Sequence, residues 1–337
     1  MTVEELADDA EWDAFVRSHP AGLLYHSTAF RDLVARLLGC TPRYLVAREG
    51  ARVVGVLPLM SASGTHGVVL NSLPYYGSNG GVLATSAPAG KALGDAYRDL
   101  ATAEGIVSAT VVENPFDTAD GGYPSTLVDR RIAHITPLPA ASDRDAVLAS
   151  VEASARRNVR KAEKSGSTVE RDPSAFARLH EIHAANIGAL GGLVKDAAFF
   201  ELVPQLFEPG RDFDLWVARK DQVVVAALLV FHFNGVVEYY TPAVDHDHRP
   251  DQPLALILAE AMTAAAAAGS RFWNWGGTWL TQESLRRFKL KWGAEEREYR
   301  YFTQVNDDRI FDLDPVEIMA AYPNFFVAPF SALRKAQ

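Results

Sequence analysis

The sequence predicts an α/β fold of two similar domains, each a central mixed sheet flanked by helices. Three observations support this prediction. The chain has 337 residues, which is long enough for two domains. Hydrophobic residues make up 48% of it and charged residues 22%, as in an ordinary globular protein. Each half also repeats one order of elements: helices, two strands joined by a short connection, then a further strand and helix.

The first half opens with amphipathic helices within residues 11–39, the last of which ends at Gly39. Strands at 43–48 and 52–59 follow, joined by a hairpin connection. Residues 53–90 contain no Asp, Glu, Lys or Arg, but Gly, Ser, Pro and Asn interrupt the apolar residues, which predicts buried strands and a pocket-lining loop. The remaining elements of this half are a helix near 89–104, a strand at 105–113 and a strand around 133–138.

Pro137, Pro139 and Ser142 indicate a domain boundary. We therefore predict an N-terminal domain over residues 1–142 and a C-terminal domain over 143–304, which carries the site. The tail at about 305–337 can pack back on the first domain. The predicted elements of the second half are helices at 144–165 and 174–190, strands at 213–219, 223–233 and 236–244, a helix at 253–268, a strand entering 273–275, a helix, and a strand at 298–303.

A basic segment interrupts a chain whose net charge is −9. Its five cations fall on one short predicted helix that ends at Gly166, and they give it a face able to hold a polyanion. A solvated helix surface is the alternative. The net charge argues against a protein that coats nucleic acid, and we expect no DNA partner, whereas contact with one end of a tRNA needs only such a patch. The five cations are Arg156, Arg157, Arg160, Lys161 and Lys164.

A second cationic segment, residues 286–293, follows closely on the aromatic run at 273–278. The basic segment (R-R-N-x-R-K-A), then the Trp275-Gly-Gly-Thr turn, then Phe288-Lys-x-Lys-x-Gly stand in an order that resembles the Fem-type aminoacyltransferases. These are double-domain relatives of the GNAT acyltransferases. The resemblance runs from about residue 26 to 302. It implies two tandem GNAT-like domains, and the missing heptad pattern between 190 and 215 predicts no coiled-coil arm.

The resemblance also implies roles for residues. Lys289, after Phe288, would hold the donor end and stabilise the charge that develops on attack, with a surface lysine as the alternative. Trp275 and Gly276 would border the reaction channel, since glycine permits close backbone approach, although a plain tight turn fits equally well. Lys291 would join the tRNA-binding cations.

Tyrosines supply the predicted substrate contacts. Tyr239 and Tyr240 lie on one strand, so one should face the cleft; the resemblance places a substrate-contacting tyrosine here, with Tyr240 preferred and a core tyrosine as the alternative. In the first half, residues 72–81 are the expected acceptor-binding loop. Gly80 would expose backbone donors there, and Tyr75 or Tyr76 would offer a flat apolar wall.

Three functions remain open. The first is an aminoacyl-tRNA-dependent transferase that forms an amide on an amine of a peptidoglycan precursor or a peptide-like natural-product intermediate. The second is an acyl-CoA-dependent N-acyltransferase, and the third a non-catalytic binding module. Prolines in the stretch at 248–253, where a GNAT carries its pyrophosphate turn, remove N–H donors and disfavour the usual CoA mode.

Further features of the sequence bear on metal binding, on the single cysteine and on the location of the protein. His180 and His183, and the polar loop 245–249, lack a metal-ligand pattern, so we expect no bound metal or cofactor, with charged tRNA as co-substrate. Cys40 reads as a buried structural thiol. The acidic N-terminus and the lack of an 18-residue apolar run predict a cytoplasmic protein without a membrane segment. We also expect a monomer, although the sequence does not identify the oligomeric state.

The chain also departs from the better known peptidoglycan enzymes. Asn186 stands where many of them carry an arginine, and only Arg31 and Arg36 follow Phe30 where a lysine is common. Both positions help to hold a nucleotide-linked muramyl peptide in that family, so the acceptor stays open.

Overall fold

A computed structural model describes residues 1–75, 77, 79–117, 121–140, 143–279 and 281–334. Within them the α/β class is confirmed. The described residues form ten helices: α1 Asp9–Ser18, α2 Thr28–Leu38, α3 Ala87–Ala101, α4 Arg144–Ser150, α5 Ala153–Lys164, α6 Phe176–Gly188, α7 Ala197–Leu206, α8 Pro253–Ala267, α9 Glu283–Lys291 and α10 Pro315–Ala321. They also form fifteen strands: β1 Thr2–Glu5, β2 Thr41–Pro42, β3 Leu45–Glu49, β4 Arg52–Leu57, β5 Met60–Gly64, β6 Gly67–Asn71, β7 Leu83–Ala84, β8 Ile106–Val112, β9 Leu127–Pro137, β10 Thr168–Arg171, β11 Phe213–Lys220, β12 Val223–Phe233, β13 Val236–Val244, β14 Phe272–Thr278 and β15 Glu295–Val305.

The chain forms two compact units. The first comprises Met1–Ile132 and Glu298–Gln337, and the second Ala133–Arg297. The proline-based boundary at 142 therefore lies inside the second unit, because β9 runs on past Ile132 before the chain turns. Residues 141 and 142 lie outside the described part of the chain.

In the first unit, β1, β3, β4 and β7 form one antiparallel sheet. A second sheet runs β15, β8, β6, β5, β2, and its β6–β8 pair is parallel. The segment after β15 also belongs to this unit, where Phe326 and the side-chain amide of Asn71 exchange two hydrogen bonds. Cys40 is buried here, and burial raises the pKa of its thiol to about 11.

In the second unit, β10 to β14 follow one another in the sheet, antiparallel as far as β13 and then parallel between β13 and β14. Helix α8 covers this sheet, since ten of its fifteen residues are buried. A helix that is hydrophobic on most of its sides is typical of a buried position.

The stretch that carries the basic segment folds as two helices where the sequence predicts one. The expected helix over 144–165 is divided into α4 and α5, because Val151 is extended and the Glu152 N–H donates to the Lys291 carbonyl. This break brings the start of α5 next to the end of α9 within the second unit. The two predicted cationic segments are therefore neighbours.

Candidate functional site

The site begins where β13 and β14 stop pairing. Their parallel register covers three residue pairs and ends at Glu238 with Asn274. Beyond this point the two strands no longer pair with each other, although β13 stays paired with β12, and this leaves an opening between their carboxyl ends. In open α/β sheets such an opening is a common place for a ligand.

A β-bulge shapes β13 at this opening. Leu229 of β12 pairs with Thr241 and Val230 pairs with Tyr239, so Tyr240 is the extra residue. Tyr239 packs on Trp275, with ring centroids 4.9 Å apart. Tyr240 turns the other way, so the two rings occupy different faces, as strand alternation predicts.

Tyr240 lies among aromatic rings and a lysine. Its ring stacks on Phe199 at 5.6 Å, and the Lys195 ammonium lies 5.4 Å from its centroid. Burial lowers the pKa of Lys195 to about 8. Lys195 could not be recognised from the sequence, since a lone lysine in the loop before α7 belongs to no motif.

Lys289 is the most unusual residue of the site. It is only 3% exposed, and its ammonium donates to the carbonyls of Gly276 and Gly277, each at 3.2 Å, and to Thr278 Oγ1 at 2.7 Å. Burial lowers its pKa to about 7. The alternative of a surface lysine is therefore excluded, and a lysine that gains or loses its proton near neutral pH lies at the end of β14.

Gly276–Thr278, predicted as a turn, is the last part of strand β14 and holds this lysine through the Gly276 and Gly277 carbonyl groups. Gly276 has a φ of 73°, in the left-handed region that glycine tolerates best. Its N–H donates to Asn274 Oδ1 at 3.0 Å, and Asn274 Nδ2 in turn donates to Glu238 at 3.2 Å. The Gly276 N–H, which we expected to face a substrate, is thus bonded within the protein, and the end of β14 presents oxygen atoms to Lys289.

From Thr278 the hydrogen bonds continue to two residues, His134 and Glu296, that the sequence did not predict as part of the site. His134 of β9 is fully buried; its Nδ1 lies 3.2 Å from Thr278 Oγ1 and its Nε2 lies 3.1 Å from Glu296 Oε1. Glu296 also accepts two hydrogen bonds from Arg286. Burial, together with the nearby Lys289 charge, lowers the pKa of His134, so this imidazole is neutral.

A cavity of about 670 Å³ lies on the other face of α9. Phe288 lines it and also meets the Trp275 ring edge-on, at 5.9 Å, whereas Lys289 points away from it to β14. The charged side chains in its wall are all cationic: Arg249, Arg287 and Lys291. The first residues of α8 also border it, so the positive end of that helix dipole adds to the cationic wall.

The predicted basic helix, α5, borders the same cavity through Ala155 and Asn158. Its remaining cations Arg157, Arg160, Lys161 and Lys164 are exposed. Arg156 differs from them, because its guanidinium donates to the carbonyls of Leu148 and Val151 and so caps α4. Arg156 therefore has a structural contact that the simple helix-face prediction did not anticipate.

The predicted acceptor loop belongs to the first unit. Tyr75 is half-buried with a φ of 66°, and its N–H donates to the Asn324 carbonyl at 2.8 Å. Gly80 is buried where a Cβ would come within 3.3 Å of Leu73 and Ser72. Tyr76 lies outside the described residues. A cavity of about 450 Å³ begins at the next glycine, Gly81.

That cavity of the first unit is lined by charged side chains of both signs. Glu113 accepts three hydrogen bonds from the backbone and guanidinium of Arg300, and Glu298 forms an ion pair with Arg130. The wall of this cavity is more acidic than that of the cavity beside α9. It suits a ligand with an amine better than a polyanion.

Arg31 and Asn186, two positions at which the chain departs from the better known peptidoglycan enzymes, bond to other residues of this protein. Arg31 forms ion pairs with Asp9 and Asp32. Asn186 exchanges two hydrogen bonds with the backbone of Val244, so it occupies the free edge of β13 like a strand partner. Asn186 therefore has a structural contact with β13 in this protein.

No group of three His, Cys, Asp or Glu side chains suited to a metal ion occurs in the described part of the chain. His180 stacks on Phe200, and the neutral His183 accepts a hydrogen bond from the Lys195 N–H. Burial lowers the pKa of His183 to about 4. Among the described helices, none is both long and apolar enough to cross a membrane.

Known proteins similar to this chain share its fold and part of its sequence. A family model described as an acetyltransferase (GNAT) domain matches residues 149–300. The lipid II:glycine glycyltransferase of Staphylococcus aureus is 28% identical over 237 residues, which is 63% of this chain and 53% of the relative. The chain thus spans about half the length of the curated relatives it matches.

Solved structures show the same architecture. The crystal structure of FemX matches with a TM-score of 0.68 at 18% identity, over 90% of this chain and 97% of that one. A tandem GNAT protein from the clavulanic acid biosynthesis pathway matches with a TM-score of 0.53 at 14% identity, over 90% and 98%. Together these likenesses confirm the resemblance found in the sequence: residues 149–300 match a GNAT acetyltransferase domain, and the chain is similar to a lipid II:glycine glycyltransferase in sequence and to FemX and a tandem GNAT protein in fold.

Proposed function

We propose that this protein is an N-aminoacyltransferase that moves an aminoacyl group from tRNA to an amine of a peptidoglycan precursor or similar peptide. The observation that carries the proposal is Lys289, a buried lysine of near-neutral pKa at the open end of β14. Fold and sequence likeness to Fem-type proteins support the reaction class.

The reaction needs little covalent chemistry from the protein. The neutral amine of the acceptor attacks the carbonyl carbon of the aminoacyl ester, and an oxyanion forms. The C–N bond is then complete, the C–O bond to the ribose breaks, and the proton lost by the amine ends on the ribose oxygen. The main tasks of the protein are to hold the two substrates together and to stabilise the oxyanion.

Lys289 supplies the positive charge for the oxyanion. Lys289 does not line the cavity beside α9, so the donor carbonyl has to reach it at the end of β14, where a substrate oxygen can replace one of its two 3.2 Å contacts to the Gly276 and Gly277 carbonyls. A cation beside an oxyanion in a site that excludes water is worth several kcal/mol, roughly 3 or more. Phe288 keeps that site apolar, since its ring packs between Trp275 and the cavity.

The cationic cavity suits the acceptor end of tRNA. Arg249, Arg287 and Lys291 line it, and their side chains form no ion pair among the described residues. Arg157 and Arg160 of α5 extend the positive surface beyond the cavity. A phosphate chain with several charges would gain from each of them.

Acyl-CoA is the alternative donor. The N-terminus of α8 borders the cavity, and helix N-termini bind phosphate well. However, Pro250 and Pro253 bring no N–H to the turn that precedes and opens this helix. The tRNA donor is therefore the better supported of the two.

A donor-exchange experiment distinguishes these functions. The protein is incubated with lipid II or small peptide amines, together with either charged tRNA or acetyl-CoA, and the products are analysed by mass spectrometry. An amide that forms only with charged tRNA and disappears after ribonuclease treatment is expected. An amide that forms with acetyl-CoA and survives ribonuclease identifies an acyl-CoA enzyme instead, and no product with either donor indicates a binding module.

A further inference from the structure

Lys289 is the start of a continuous line of hydrogen bonds through the second unit. Its ammonium meets Thr278 Oγ1 at 2.7 Å, which meets His134 Nδ1 at 3.2 Å, and His134 Nε2 meets Glu296 Oε1 at 3.1 Å. The line begins at a buried lysine and ends at a carboxylate whose side chain is 26% exposed. Arg286 holds this carboxylate in place with two further bonds.

The directions of these hydrogen bonds are fixed when Lys289 is charged. Its three N–H bonds match three acceptors: the Gly276 and Gly277 carbonyls and Thr278 Oγ1. Thr278 then donates its own hydroxyl hydrogen to His134 Nδ1. The ionised Glu296 accepts from His134 Nε2–H and so selects that tautomer of the imidazole.

The neutral form of Lys289 does not fit the same arrangement. Two N–H bonds remain, and the nitrogen lone pair takes the place of the third. If the lone pair faces Thr278, the hydroxyl rotates to donate to the lysine and the buried His134 Nδ1 loses its hydrogen bond; if it faces Gly276 or Gly277, that carbonyl loses its hydrogen bond instead. Loss of a bond to a buried acceptor is costly, so the line favours the charged lysine against the desolvation that opposes it.

We propose that Thr278, His134 and Glu296 are positioning residues that hold Lys289 in its charged form. They act through one another and do not touch the substrate. The charged or titratable groups of the line are Lys289 and Arg286 of α9, His134 of β9 and Glu296 of β15. This inference deepens the proposed function, and its role in catalysis rests on that function.

The lysine charge can be measured without any substrate. The protein is labelled with ¹³C-lysine, and the Cε resonance of Lys289, identified by its loss in Lys289→Met, is followed against pH. Thr278→Val removes the hydroxyl and Glu296→Gln removes the negative charge. Each should lower the midpoint of Lys289 by about half a pH unit or more, since a lost acceptor and a lost nearby anion both disfavour the ammonium.

Matched variants distinguish the loss of this line of hydrogen bonds from a general disturbance of the structure. Thr278→Ser keeps a hydroxyl and should titrate like the natural protein. His232→Gln breaks a similar pair, His232 with Asp214 at 3.0 Å, that is not connected to Lys289. It should leave the midpoint unchanged, as should the resonance of Lys195 in every variant. If Thr278→Val does not fold, Glu296→Gln still tests the line from its solvent end.

Unchanged midpoints in both Thr278→Val and Glu296→Gln would overturn the inference. The pH at which kcat falls should move with the resonance in an active enzyme. A shifted resonance in a protein that forms no amide would leave the inference standing and remove the proposed function. An active enzyme whose Thr278→Val and Glu296→Gln variants keep the natural midpoint would leave the proposed function standing and remove the inference.

Discussion

Replacing Lys289 by methionine should change how the stability of the second unit depends on pH. Methionine has a similar length but no charge. The natural lysine is buried, so its pKa falls from 10.5 to about 7 on folding. The variant has no proton to release at this position, and the two proteins should therefore respond differently to pH.

The size of the difference follows from linkage. Below about pH 7 the lysine is protonated in both states, and the cost of burying its charge is constant. Between about pH 7 and 10.5 the unfolded chain holds a proton that the folded protein has released, so the stability of the natural protein rises with pH. The slope is about 1.4 kcal/mol per pH unit, which gives roughly 2.5 kcal/mol between pH 6 and pH 9.

Urea unfolding of both proteins at pH 6 and pH 9 measures this change. Tryptophan fluorescence reports mainly on the second unit, which contains Trp216, Trp273, Trp275, Trp279 and Trp292. The free energy of unfolding of the natural protein, relative to Lys289→Met, should rise by roughly 2.5 kcal/mol from pH 6 to pH 9. Lys91→Met, at an exposed position on α3, serves as the control. A relative stability that is the same at both pH values would refute the reasoning.

Two further changes test other parts of the site. Gly276→Ala forces a residue with a Cβ into a φ of 73° and should cost about 1–2 kcal/mol in urea unfolding, whereas Gly277→Ala, where φ is not left-handed, should cost less; equal effects would argue against strain. Replacing Arg157 and Arg160 together by glutamine should weaken tRNA binding. It should also reduce the slope of the logarithm of the binding constant against the logarithm of the salt concentration by about two, measured by titration at several salt concentrations. An unaltered salt slope would remove α5 from the tRNA-binding surface.

Much of the fold could be predicted because it is encoded locally. Alternating apolar residues predict β11 to β13, and Gly39 marks the residue after α2, where it caps the helix at a φ of 62°. Phe288 and Lys289 stood out through the resemblance, since their spacing to the Trp275 turn is a sequence property.

The features that the sequence did not predict depend on contacts between residues that are distant along the chain. His134 and Glu296 are 162 positions apart, and neither lies in a motif. The break between α4 and α5 depends on the Lys291 carbonyl, and the bulge at Tyr240 depends on the register with β12. Local propensity does not contain such information, because tertiary contacts decide it.

The rate of amide formation by Lys289→Met tests the central claim most directly. Charged tRNA and a peptide amine are supplied at saturating concentration, and the rate is compared with that of the natural protein and of Lys91→Met. Loss of the positive charge beside the oxyanion should lower kcat by about 10²-fold or more, while Lys91→Met should react like the natural protein. An unchanged kcat in Lys289→Met would contradict the role assigned to this lysine.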